Sequence, residues 1–232
     1  MNLVGVHFTV HKEGYRFIGA GALFVLLFAA LWPALAWICV VLTLFCAFFF
    51  RHPPRAVPSD SNLVLSPADG TVSAVVLDVP PPELGLGDEK RYRVSIFLSI
   101  FNVHVNRAPI SGSVRKIVYH PGSFLSASLD KASVFNERNA IVIDIDGNAG
   151  NSMAFVQIAG MIARRIVCDV HEGRQIVRGE PVGLIRFGSR CDIWLPAGAV
   201  PLVFAGQTMI GGESVISDLS RRSEEPRVGT VI

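Results

Sequence analysis

The chain has 232 residues, half of them hydrophobic, and a formal net charge of +2. That is enough for one sizeable core plus a membrane segment. The near-neutral balance excludes the basic stripe of a nucleic-acid protein, so no nucleic-acid partner is expected. Cys39, Cys46, Cys168 and Cys191 form no C-x-x-C pair. Neither a zinc site nor a redox motif is therefore indicated; free thiols and no bound metal are expected.

The first element is an apolar run. No charged residue occurs between Arg16 and Arg51, a stretch of 34 positions rich in Leu, Ala, Phe, Val and Trp. One spanning helix needs about 20 such residues. The run is too long for a signal-peptide core, and no small-residue cleavage site follows it. Pro33 sits at its middle, between Trp32 and Ala34. Two geometries fit: one long kinked helix, or a hairpin of two shorter helices turning near Pro33. Each hairpin arm is near the lower length limit for spanning, so a hairpin could span the bilayer or only dip into it. Lys12 and Arg16 precede the run, and Arg51 and Arg55 follow it. Basic flanks at both ends favour the cytoplasmic side and suit the hairpin. The expected location is the cell (inner) membrane. Residues 1–52 form the membrane-associated segment, and residues 53–232 face the cytoplasm.

Pro53, Pro54 and Pro58 predict a stiff, non-helical linker. Short β-branched or aromatic runs follow. They are Val64-Leu65, Thr71–Val76, Arg93–Leu98, Gly112–Tyr119, Ala140–Ile145 and Met153–Ile158, punctuated by Gly, Pro, Asn and Asp. Val79–Gly87 reads as a surface loop, and Met161–Ile166 as a short helix or a strand. Ser217–Ile232 reads as a polar, exposed or loosely docked tail. The fold class is mainly β: an antiparallel sandwich or barrel-like domain behind an N-terminal membrane helix or helical hairpin.

Five short segments carry the chemistry. They are Ser66-Pro67-Ala68-Asp69-Gly70, Phe101–Pro109 with His104, Tyr119-His120-Pro121-Gly122-Ser123, Asn136-Glu137-Arg138-Asn139 and Phe187-Gly188-Ser189. A serine after glycine can attack the peptide bond before it, because glycine has no Cβ to block the approach. A serine hydroxyl is a weak nucleophile and needs a base, which a histidine near neutral pH supplies. A carboxylate can orient that histidine. Ser189, His104 and Asp69 are the candidate catalytic set.

In this order the segments resemble the phosphatidylserine decarboxylase proenzymes, in particular the short bacterial form, over about residues 51–213. The resemblance implies self-cleavage between Gly188 and Ser189 into a large subunit, 1–188, and a small subunit, 189–232. Ser189 would become a covalent pyruvoyl group, the only cofactor. Its ketone would form a Schiff base with phosphatidylserine in the membrane, release carbon dioxide and yield phosphatidylethanolamine. Homo-oligomers are compatible with this reading. Many longer members of the family that this chain resembles carry His-x-x-His-x-Pro. Here the segment reads His104-Val105-Asn106-Arg107-Ala108-Pro109, so Arg107 replaces the second histidine. Arginine is a poor base, which leaves open which group serves self-cleavage. Arg107, Arg138 and Arg190 are candidates for the lipid phosphate or the serine carboxylate. His7, His11, His52 and His171 read as structural or surface residues, and His120 lies within a matched segment.

Two other readings stay open. A membrane-anchored serine hydrolase would use the same Asp69, His104 and Ser189, but Phe187–Cys191 is not a Gly-x-Ser-x-Gly elbow. A tethered carrier domain would need a modifiable lysine in the Gly206–Gly212 turn, which holds Met209 and no lysine.

Overall fold

The structure, a computed structural model, describes residues 9–122, 136–147, 151–160, 165–186, 189–221, 225–227 and 229. The chain divides into two compact units, residues 1–54 and 55–232.

In the first unit the apolar run forms two helices, α1 (Gly14–Leu31) and α2 (Pro33–Phe49). Pro33 is the first residue of α2. It disfavours the helical region for Trp32, which is extended at φ −155° and ψ 92°. The break therefore falls where the proline predicts it. The two helices fold back on each other as a hairpin. Gly21 permits the close approach, since a Cβ there would lie 2.3 Å from Thr43 Oγ1. At the open end, His11 N–H donates to the Phe50 carbonyl at 2.8 Å, and His52 N–H donates to the Thr9 carbonyl at 2.7 Å. Phe17 stacks on Phe50 there, with ring centroids 5.3 Å apart. The 18 residues of α1 reach about 27 Å, close to the roughly 30 Å apolar thickness of a bilayer. Leu23, Leu26, Leu31, Trp37 and Leu44 are exposed on the helix surfaces.

The second unit is built from strands β1 (Leu63–Leu65), β2 (Gly70–Asp78), β3 (Arg91–Leu98), β4 (Val105–Arg107) and β5 (Gly112–His120). They continue with β6 (Arg138–Ile145), β7 (Ser152–Ala159), β8 (Ile166–Cys168), β9 (Gln175–Ile176) and β10 (Pro181–Ile185). The last are β11 (Ser189–Trp194), β12 (Thr208–Met209) and β13 (Val215–Asp218). Eight strands form one antiparallel sheet in the order β12-β2-β3-β11-β7-β6-β5-β9. Bulges between Val72 and Ala74 and between Val114 and Lys116 add local twist and curl the sheet toward a half-barrel. A three-stranded sheet, β4-β10-β8, and the pair β1-β13 complete the domain.

Side chains alternate between the faces of the sheet. On the inner face Val94, Ile96, Ile141, Ile143, Met153, Phe155, Cys191 and Ile193 form the main core. On the outer face Ala140, Val142, Ala154, Val156, Ile158 and Trp194 form a second cluster under Leu84 and Leu86. The covering loop is the one expected at Val79–Gly87, and it contains a short 3₁₀ turn at Pro82–Leu84. With both faces covered, β7 and β11 are buried along their whole length.

One expectation from the sequence needs adjustment. Ser217 is fully buried and lies in β13, not in an exposed tail; its hydroxyl donates to the Val200 carbonyl at 2.8 Å. Ile166 belongs to strand β8, whereas Met161–Arg164 lie outside the described residues.

Candidate active site

Ser189 is the first residue of β11, at the centre of the large sheet, between Leu98 of β3 and Ala159 of β7. Alternation places it on the inner face with Cys191 and Ile193. Its side chain is fully buried, and its hydroxyl has no hydrogen-bond partner. Phe187 and Gly188 lie outside the described residues. Burial, and then the Asp192 charge, push the neighbouring Cys191 thiol well above its ordinary pKa. That thiol is an inert part of the core rather than a nucleophile.

His104 comes to this region through a turn. Asn102 N–H donates to the Ser99 carbonyl at 3.0 Å, and Ser99 N–H donates to Asn102 Oδ1 at 2.8 Å. Two residues on, the buried His104 ring sets Nδ1 3.0 Å from the Asn102 carbonyl. A carbonyl only accepts, so the proton sits on Nδ1 and Nε2 is the basic nitrogen. The His104 carbonyl accepts from Ile185 N–H at 3.4 Å. The imidazole is thus tied to the strand that leads into Ser189, although no hydrogen bond joins it to the Ser189 hydroxyl.

Asp69 lies elsewhere in the same framework. Both of its oxygens are 2.9 Å from Arg55 Nη2, and Oδ1 also accepts from Gly211 N–H at 2.8 Å. Its partners are therefore Arg55 and the 211–214 turn, not His104. The same loop donates Ser66 N–H to the Ser214 carbonyl and accepts Gly212 N–H on the Ser66 carbonyl. It reaches the histidine segment through its backbone, where Arg107 N–H donates to the Pro67 carbonyl at 2.8 Å.

The three candidate arginines occupy three different settings. Arg107 is buried and donates from Nη1 to the Gly179 carbonyl at 2.8 Å. Burial and the Arg55 charge lower its pKa, while Asp69 and Glu213 act in the opposite direction. Gly212, at φ +81°, leaves it room: a Cβ there would lie 2.9 Å from Arg107 Cδ. Arg190 points to the outer face and grips Asp192, with Nη2 to Oδ2 and Nε to Oδ1 both at 2.9 Å. Asp192 also accepts from Arg93 Nη1 at 3.1 Å. Arg138 stands on the outer face beside Glu83, 3.4 Å away. It lines a cavity of about 560 Å³ with His120, Trp194 and Pro81. That cavity is on the face opposite Ser189. Among the described residues no cluster of three or more His, Cys, Asp or Glu could hold a metal ion.

Several polar residues around Ser189, most of them inside the matched segments, have no individual role assigned from the sequence. Asn136 Nδ2 donates to the Ala159 carbonyl at 2.7 Å, and Ala159 N–H donates to the Glu137 carbonyl at 2.9 Å. Together they clamp the residue opposite Ser189. The Glu137 carboxylate accepts from Ile166 N–H and from the Tyr119 hydroxyl, both at 3.2 Å. Next to them runs a buried amide chain. Asn139 Nδ2 donates to Gln157 Oε1 at 3.0 Å, and Gln157 Nε2 donates to Asn106 Oδ1 at 2.9 Å. The sequence signal was available: Gln157 is the one polar residue in Met153–Ala159.

A sequence profile of the phosphatidylserine decarboxylase family matches residues 42–217. The chain belongs to the phosphatidylserine decarboxylase family. It is 51% identical over 218 residues to a phosphatidylserine decarboxylase proenzyme of Beijerinckia indica subsp. indica, covering 94% of this chain and 92% of that one. It is 53% identical over 211 residues to a proenzyme of the same name from Cereibacter sphaeroides, covering 91% and 90%. A third, from Rickettsia felis, is 51% identical over 213 residues, covering 92% and 91%. This phosphatidylserine decarboxylase family member is thus an enzyme whose similarity to relatives runs nearly end to end.

Proposed function

We propose that the chain is a proenzyme that cuts itself between Gly188 and Ser189 and then converts phosphatidylserine to phosphatidylethanolamine and carbon dioxide. The observation that carries this reading is the fully buried, partner-free hydroxyl of Ser189 at the head of the central strand. A buried hydroxyl without a hydrogen bond costs roughly 1–3 kcal/mol and calls for an explanation. A nucleophile held for a single use supplies one.

The Ser189 hydroxyl attacks the Gly188 carbonyl, and the peptide C–N bond breaks to leave an ester and a free amine. A base removes the Ser189 α-proton. The Cβ–Oγ bond then breaks, and Gly188 departs as a carboxylate. Water replaces the nitrogen, which leaves as ammonia, and position 189 becomes a pyruvoyl group. His104, with Nε2 basic, is the base we assign, because Arg107 is committed to the Gly179 carbonyl. Asp69 supports the site by holding the 211–214 turn of the small chain, residues 189–232, against the large chain, residues 1–188.

The site fits the group it would make. The former Cβ becomes a methyl, and a keto oxygen takes the place of the α-nitrogen, so the group fills no more space than the serine. When formed, it supplies a ketone that captures a primary amine and draws electrons as carbon dioxide leaves. His104 holds the proton that the product carbon requires. Arg107 is engaged by the Gly179 carbonyl and Arg190 by Asp192, and Arg138 lines a cavity on the face opposite Ser189, so none of the three is assigned to the headgroup. We assign the enzyme to the cell membrane, with the catalytic unit on the cytoplasmic side; the apolar helix α1 and the basic flanks of the run support this.

The test is the intact mass of the purified protein under denaturing conditions. Two chains are expected, the smaller starting at residue 189 and blocked to N-terminal sequencing. A single chain with Ser189 intact in folded protein would refute the reading and favour a serine hydrolase.

A further inference from the structure

The amide chain on the inner face ends without a partner. Asn106 is fully buried; its Oδ1 accepts from Gln157, and its Nδ2 has no acceptor. Asn139 donates to Gln157 and Gln157 donates to Asn106, so donor polarity runs along the chain and leaves a free donor at its end. Leaving such a donor unpaired costs roughly 1–3 kcal/mol, and an apolar residue there would avoid that cost.

The position of this donor follows from the strand register. Gln157 opposes Cys191 on β11, and Ala159 opposes Ser189. Gln157 and Ser189 are therefore diagonal neighbours on the same face of adjacent strands, within reach of long side chains. Asn106 is bonded to Gln157 and pairs through its backbone with Gly183 of β10, the strand that leads into Ser189. Two buried polar groups without partners, Asn106 Nδ2 and Ser189 Oγ, thus border one corner of the inner face. Among the described residues nothing satisfies them.

We propose that Asn106 is a positioning residue for the reaction, its Nδ2 donating to the keto oxygen that replaces the α-nitrogen of Ser189. The inference rests on the self-cleavage reading. The donor finds its acceptor only after the chain has matured, and the hydrogen bond makes the ketone carbon more electrophilic toward the substrate amine. Gln157 and Asn139 aim the amide. Asn106 has no part in making the group, because it neither takes a proton nor touches the Ser189 hydroxyl.

The experiment reads the ketone directly by infrared spectroscopy. Protein grown on serine labelled with carbon-13 at Cα contains one labelled carbonyl, at position 189, since every other serine Cα stays saturated. In the wild-type enzyme the labelled band should lie below that of a pyruvamide in a solvent that donates no hydrogen bonds. In Asn106→Leu the band should rise toward that reference. The variant should still be cut into two chains, and kcat/KM should fall roughly tenfold, the worth of one hydrogen bond. Gln157→Leu should shift the band in the same direction by less. A wild-type band already at the reference position would overturn the proposal without any variant. So would an Asn106→Leu band unchanged from wild type, or a folded Asn106→Leu chain that fails to cut itself. Absence of any labelled ketone in the wild-type enzyme would instead refute the maturation reading itself.

Discussion

Arg190 offers the sharpest separation between a substrate contact and a structural ion. It follows the cleavage residue, and a guanidinium there could face either way. The structure turns it to the outer face, where two 2.9 Å contacts bind it to Asp192. Both side chains are only 3% exposed, so water does little to screen the pair. Removing one partner of such a pair typically costs about 3–5 kcal/mol, because the remaining charge is stranded. In Arg190→Gln the carboxylate keeps Arg93 at 3.1 Å, which reduces the expected loss to about 2–3 kcal/mol. Asp192→Asn removes the carboxylate that both Arg190 and Arg93 contact and should cost more. In a domain of this size 1 kcal/mol moves the thermal midpoint by about 2–4 °C. Arg190→Gln should therefore lower Tm by roughly 4–12 °C, and Asp192→Asn by more. The double variant should fall short of the sum, as expected for residues in contact. Thermal denaturation of the detergent-solubilised protein gives the midpoints, and steady-state kinetics on the same samples give KM. A Tm within 2 °C of wild type together with a tenfold rise in KM would refute this assignment and make Arg190 a substrate contact.

Three further outcomes follow from the same geometry. Replacing His104 by Gln should slow self-cleavage by about 10²–10⁴-fold, the usual worth of a general base, as followed by gel after cell-free synthesis; cleavage at the wild-type rate would assign the base elsewhere. Asp69→Asn and Arg55→Gln should lower Tm by similar amounts, and the double variant should be no worse than either, since both weaken one contact. An Asp69→Asn protein that keeps its Tm but cannot cut itself would show that Asp69 acts on His104 instead. Tags at Met1 and at the C-terminus should share one sensitivity to protease in sealed inner-membrane vesicles, as a hairpin requires; opposite sensitivities would replace it with a single crossing.

Local sequence was sufficient for much of the architecture. Pro33 inside an uncharged run predicted the helix break, because proline acts on its own neighbour. Runs rich in β-branched and aromatic residues between Gly, Pro, Asn and Asp predicted β2, β3, β5, β6 and β7, because that preference is a local property of the chain. The motif order singled out Ser189, His104 and Asp69. The short strands β4, β10 and β11 escaped notice, since runs such as Ser189–Trp194 mix polar and apolar residues and owe their burial to neighbours on both sides. Tertiary structure decided everything that depends on register. It placed Ser189 on the inner face and Arg190 on the outer. It gave Asp69 to Arg55, 14 residues away, and to Gly211, 142 residues away. It joined Asn106, Gln157 and Asn139 from three strands into one chain of amides. A residue's type and its immediate neighbours determine the conformation it prefers, but its partner across a sheet depends on how distant strands align, and a shift of one residue would exchange every face.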